Sequence, residues 1–138
     1  MTTEAHNTAE RNAIKGLRKD LQRRINRQEG IIKSRMEELM ANFNTNFEWE
    51  AEELYKAKIL LDFYKGLQNQ FAPDSTTEAE IREFLRHTIE HTADDILFGE
   101  PYRTGSNAAA NIAHQWEYET KKRIYGIASG ILATFNEE

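Results

Sequence analysis

Apolar residues recur every three or four positions along almost the whole chain, and its two prolines, Pro73 and Pro101, stand where that rhythm stops. A period near 3.6 suits helices, whereas a half-buried strand needs a period of two. The clearest run is Ile14, Leu17, Leu21, Ile25, Ile32, Met36, Leu39 and Phe43, with spacings of 3, 4, 4, 7, 4, 3 and 4. These positions form one stripe of an amphipathic helix. The pattern predicts an all-α protein, an antiparallel bundle of about four helices in one domain spanning 1–138, with a long, partly overhanging N-terminal helix.

The breaks divide the chain. A first helix is expected over 8–42, with Gly30 as a point where it kinks or breaks, since glycine costs about 1 kcal/mol against alanine there. The Asn42–Asn46 run favours a turn, and Thr45 with Glu48 has the spacing of a capping box. A second helix then covers 46–71, with Leu54, Ala57, Leu61, Tyr64, Leu67 and Phe71 inward and Phe47, Trp49, Ile59, Leu60 and Phe63 widening the apolar face. The alternative is that the asparagine run does not break the helix and the first two form one rod. Pro73 ends the second helix, and Ser75 with Glu78, or Thr77 with Glu80, caps a third over 76–98. Its inward stripe is Ile81, Leu85, Thr88, Thr92 and Ile96. A Gly/Pro-rich loop at 99–106, carrying Tyr102 and Arg103 as a candidate contact point, leads to a last helix over 107–135 capped by Ser106 or Asn107. There Ala109, Ala113, Trp116, Thr120, Ile124, Ile127, Ile131 and Phe135 face inward. Gly126, Gly130 and Ala133 make a small-residue ridge that either admits a neighbouring backbone or is local packing.

Charge is distributed unevenly over this scaffold. Residues 11–35 hold nine Lys/Arg (Arg11, Lys15, Arg18, Lys19, Arg23, Arg24, Arg27, Lys33, Arg35) against Asp20 and Glu29, a local charge of +7 in a chain of −5. The remainder therefore sums to −12. A basic arm on an acidic body steers a partner of opposite sign. Arginine predominates, and its planar fork fits carboxylate and phosphate alike.

Helix length bears on where the arm sits. Thirty-five residues extend roughly 50 Å, and helices of 23–26 residues only roughly 35–39 Å. Residues 8–28 are the expected overhang, yet they carry the aliphatics Ile14, Leu17, Leu21 and Ile25. Soluble monomers avoid such exposed stripes. Two coverings are available: the same arm of a second copy, making a homodimer with those four residues as its interface, or the long last helix.

Several chemistries are excluded or weakly signalled. The chain has no cysteine, which removes disulfides, thiolate metal ligands and thiol catalysis. No glycine-rich phosphate loop, serine-nucleophile motif or dinucleotide fingerprint occurs. His87-Thr88-Ile89-Glu90-His91 matches the H-x-x-E-H pattern, in which two histidines one turn apart bind zinc. A third ligand would have to be Glu117 or Glu119, and the mixed sheet of such a peptidase has no counterpart here. His87 and His91 are thus weak metal candidates beside the plainer alternative of surface polar residues.

No apolar run resembles a signal peptide or membrane span, so a cytoplasmic protein without a membrane partner is expected. The function expected is a non-enzymatic, cofactor-free interaction or adaptor subunit that self-associates and docks an acidic protein through Arg11, Lys15, Arg18, Lys19, Arg23, Arg24 and Arg27. The alternatives are a nucleic-acid-binding accessory subunit using the same arm, and a bundle metalloprotein centred on His87 and His91. The protein partner is favoured because the arm lacks interleaved aromatics and the acidic body would repel an extended nucleic acid.

Overall fold

The structure, a computed structural model, describes residues 3–43, 47–99 and 108–135, with side chains from Thr8 onward. Four helices account for nearly all of it: α1 (Thr3–Ala41), α2 (Phe47–Gln70), α3 (Glu78–Phe98) and α4 (Ala108–Phe135). No strand occurs among the described residues. α1 is continuous through Gly30, so the glycine is absorbed as a propensity cost and not as a break. α1 and α2 are separate helices packed against each other. The Thr45 cap and the Ser106 or Asn107 cap, like Tyr102 and Arg103, lie outside the described residues. Of the two boxes offered for α3, Thr77 with Glu80 forms: the Thr77 Oγ1 accepts from the Glu80 amide at 3.2 Å, and the Glu80 carboxylate accepts from the Thr77 amide.

The helices pack as two hairpins, α1 on α2 and α3 on α4, joined by contact of α2 with α4. α1 and α4 barely touch. The core lies toward the chain termini and consists of Ile14, Leu17, Leu21 and Ile25 of α1, Leu60, Leu61, Tyr64, Leu67 and Phe71 from α2, Ile81 and Leu85 from α3, and Ala128, Ile131 and Phe135 from α4. Farther along α3 and α4 the buried positions are Thr92 and Thr120. Each hydroxyl donates to the carbonyl four residues back, the usual way a helix satisfies a buried threonine.

The expected overhang is reversed. Ile14, Leu17, Leu21 and Ile25 are 0–7% exposed, covered by the chain itself, so a second copy is not needed to shield them. Polar stitches explain why the basic arm stays docked. Arg18 donates from Nε to the Phe71 carbonyl at 2.9 Å and from Nη2 to the Pro73 carbonyl at 2.8 Å, capping the end of α2. The Glu10 carboxylate accepts from the Glu78 amide at 2.8 Å, capping the start of α3. α3 is thus set toward the terminal end of the bundle and fills the space beside the arm.

The far end of the bundle is left short of cover. The Tyr118 hydroxyl donates to the Ile96 carbonyl at 2.7 Å, and Tyr55 packs on Trp116 at 5.7 Å, so α3 stops level with Tyr55 of α2. From there to Phe47 the α1–α2 tip runs on for eight residues, about 12 Å. Phe47 and Trp49, expected to widen the buried face, are half exposed, α3 ending before their level.

Candidate docking groove

Because α2 and α4 close on each other, α1 and α4 stand apart, and a groove runs between them. Its larger hollow, about 500 Å³, is floored by Ala57 and Tyr64 of α2 and walled by Arg24 and Arg27 of α1 and Arg123 and Gly130 of α4. A second hollow of about 420 Å³ continues toward the termini past Ala13, Gly16 and Leu17 to Phe135. The two share Arg24, Gly130 and Ile131, so the groove is continuous.

Local sequence sets this shape. Small residues face it from both walls, Ala13 and Gly16 on α1 and Gly126 and Gly130 on α4. A Cβ built at Gly16, Gly126 or Gly130 meets nothing within 4 Å. The ridge of Gly126 and Gly130 therefore does not admit a neighbouring backbone of this chain; it leaves open space.

The cations of the arm divide into structural and outward-facing groups. Arg18 caps α2. Arg24 donates to Asp20 at 2.7 Å and to the Tyr64 hydroxyl at 3.4 Å, with its guanidinium 5.7 Å from the Tyr64 ring centre. Burial alone would raise the Asp20 carboxyl, but hydrogen bonds from Arg24 and Arg23 outweigh it and hold Asp20 below its ordinary value. Arg11, Lys15, Lys19, Arg23 and Arg27 are exposed and fall four residues apart, a ridge that winds around the outer side of α1 and ends at the groove. Of these, Arg23 pairs with Asp20, whereas Arg27 has no ion pair among the described residues.

Two groove residues were not singled out in the sequence. Lys56 on the floor donates to Glu52 at 2.7 Å and to Glu119 at 2.8 Å, tying α2 to α4. Burial would lower the Lys56 ammonium, but these partners overcome it and leave its pKa raised; the same bond to Lys56 holds Glu119 low. Arg123 is exposed at the mouth and has no ion pair among the described residues. Lys56 and Arg123 lie outside the basic run of residues 11–35, so counting charge along the chain could not place them beside it. Glu53 is the one acid lining the larger hollow, against Arg24, Arg27, Lys56 and Arg123.

The histidine pair sits elsewhere, on the exposed side of α3. The rings of His87 and His91 are 4.4 Å apart. No third acid or histidine joins them in a group able to hold a metal among the described residues. Glu119, one of the two third ligands considered, is engaged by Lys56. No described helix is long and apolar enough to cross a membrane.

Comparison with protein-family models, with curated proteins and with solved structures finds no match for this chain.

Proposed function

We propose that the protein is a non-enzymatic helical adaptor that docks an acidic amphipathic helix of a partner protein in the α1–α4 groove, with the basic N-terminal helix as one wall. The observation that supports this is the placing of Arg27 and Arg123 across an open, small-residue groove whose floor carries Ala57, Tyr64 and the paired Lys56. Helix-in-groove recognition takes anchors every three or four residues, and a groove flanked by Arg selects carboxylates at its rim. Residues 13 to 31 of α1 line the two hollows, a run of about 27 Å, the length of an 18-residue helix. The cationic ridge from Arg11 to Arg27 would add long-range attraction, felt mainly in the association rate.

The test uses a fluorescein-labelled 18-residue peptide with leucines on one helical face and glutamates on the other, read by anisotropy. Binding should weaken at least tenfold in Arg27→Glu/Arg123→Glu and on raising salt, with helicity unchanged because both side chains are exposed. A second reading, contact with nucleic-acid phosphates, is favoured by the same ridge of five cations. It predicts that duplex DNA or RNA binds where the peptide does not, with affinity falling linearly in log salt at about −0.9 per phosphate on duplex DNA. Indifference of the peptide to the double reversal would refute the groove.

A further inference from the structure

The α1–α2 tip differs from the groove in every respect. Met36, Met40, Phe43, Phe47 and Trp49 are all at least half exposed, at 51%, 82%, 55%, 50% and 53%. Met36, Met40 and Phe43 follow one another at helical spacing, and the Phe43 ring meets Phe47 at 5.2 Å. The Arg35 guanidinium lies 4.9 Å from the Trp49 ring centre, on a face of that ring, and helps hold the indole in place. Over residues 36–49 the exposed charged side chains are all acidic, Glu37, Glu38 and Glu48, whereas Glu50 is buried against Arg35, Glu52 pairs with Lys56 and Glu53 lines the groove. At 100° per residue, Met36 and Met40 lie about 160° around α1 from Arg24 and Arg27, so this surface is distinct from the groove.

We infer that this tip is a docking surface for a basic amphipathic helix of a partner protein. Methionine side chains are flexible and polarisable, and a Met/aromatic surface can repack around varied apolar anchors. The surrounding glutamates select a partner carrying Lys or Arg beside those anchors. A second copy of this chain does not supply such a segment. Two tips placed together would oppose Glu37, Glu38 and Glu48 to the same three glutamates. The basic stretch 11–35 offers the right charge, but its apolar stripe is buried, and none of the exposed large apolar residues among the described ones lies within it. An anionic lipid surface would be repelled by the same glutamates.

Trp49 provides the readout, in protein carrying Trp116→Phe so that it is the sole tryptophan. The probe is an 18-residue peptide with leucines on one face and lysines on the other. The Lys–Leu peptide should shift Trp49 emission to the blue and bind at least tenfold more tightly than its Glu–Leu counterpart. Met40→Ser/Phe43→Ser should weaken that binding at least tenfold with helicity intact, as should Glu37→Lys/Glu38→Lys/Glu48→Lys. Glu83→Lys/Glu90→Lys, on exposed positions of α3, should leave it unchanged. Equal binding of both peptides, or equal binding to the tip and α3 variants, would overturn the inference. So would a concentration-dependent blue shift of the protein alone with a doubling of mass by light scattering, which would assign the tip to a second copy. Binding to vesicles of anionic phospholipid in place of the peptide would overturn it as well. The groove variant Arg27→Glu/Arg123→Glu should bind the Lys–Leu peptide normally, so the two sites succeed or fail separately.

Discussion

Replacing Gly126 and Gly130 by alanine should make the protein more stable and leave its groove less able to bind. Both glycines lie in the interior of α4, both are exposed, and a Cβ at either position meets no atom within 4 Å. Alanine is favoured over glycine inside a helix by about 1 kcal/mol. Part of that gain comes through the unfolded chain, which loses freedom it would otherwise retain. The positions are one turn apart and share the same open space, so the two gains should add to about 1–2 kcal/mol, allowing for some coupling. An unfolding entropy of about 2.1 cal/mol/K per residue makes each kcal/mol worth about 3–4 °C for a chain of this length, so the double variant should melt about 4–7 °C higher.

The assay is calorimetry together with urea unfolding, where the midpoint should rise with an unchanged slope. Gly30→Ala and Gly66→Ala, also at open helical positions but outside both hollows, should stabilise to a similar extent. Gly99 is the exception, since a Cβ there would run into the Asp95 carbonyl. Only changes at the groove glycines should affect binding of the Glu–Leu peptide, and Gly130→Leu should abolish it by filling the wall. A fall in melting temperature for Gly126→Ala/Gly130→Ala would refute the reasoning at its root. It would mean that the space beside α4 is occupied, and that α1 and α4 close upon each other in solution.

Other consequences are equally concrete. Leu21→Ala should cost about 3 kcal/mol, because the side chain is fully buried. That loss should not change when protein concentration is raised about tenfold, as it would if a dimer interface were being cut. Arg35→Ala should cost about 2–3 kcal/mol, since Glu50 is 3% exposed, pairs through Oε1 with Arg35 at 3.3 Å and leaves Oε2 without a hydrogen-bond partner among the described residues. Glu50→Gln should recover much of it. Thr77→Ala, which removes the α3 capping box, should cost about 1 kcal/mol in urea unfolding. Asp20 and Glu119 both titrate below their ordinary values when folded, so the stability they lend is present above those values and drains away as pH falls through and below them. Asp20→Asn/Glu119→Gln should accordingly flatten the acid side of the stability–pH profile.

Helix number and much of the inward stripes were legible because periodicity is a property of the chain alone, but the α1 stripe is buried only from Ile14 to Ile25, and Met36 and Phe43 at its far end are exposed. Residues 54–71 show the limit: Leu60, expected only to widen the apolar face, is fully buried, and Leu54, expected in the stripe, keeps partial exposure. A wheel gives the direction of an apolar face but not the width of its neighbour. The groove was less accessible to sequence reasoning. Arg27 lay in the basic run, but Lys56 and Arg123 reach it from about 30 and about 100 residues away, through the α2–α4 contact that no local pattern encodes. The Gly126–Gly130 pair signalled small side chains, not whether a backbone would fill the space beside them.

The misplaced overhang shows why length alone could not locate the exposed surface. A helix of 39 residues must outrun partners of 21 to 28 somewhere. Length does not decide at which end. The apolar stripe cannot decide either, since Ile14 to Ile25 and Met36 to Phe43 are about equally hydrophobic. The choice is made by polar groups that cap other helices: Arg18 for the carbonyls ending α2, and Glu10 for the first amide of α3. Helix ends leave such groups unsatisfied, and each capping bond is worth about 1 kcal/mol or more when one partner is charged. Lodged in the turn between α2 and α3, Arg18 and Glu10 set α3 beside the basic arm and thereby leave the α1–α2 tip uncovered. The arm is therefore basic for two reasons: some of its cations fasten it to the bundle, and the rest, with Arg27 foremost, face outward. The exposed methionines and aromatics follow from the same displacement. This single packing choice leaves the molecule with a cationic groove and, on another face, an apolar tip beside the exposed Glu37, Glu38 and Glu48.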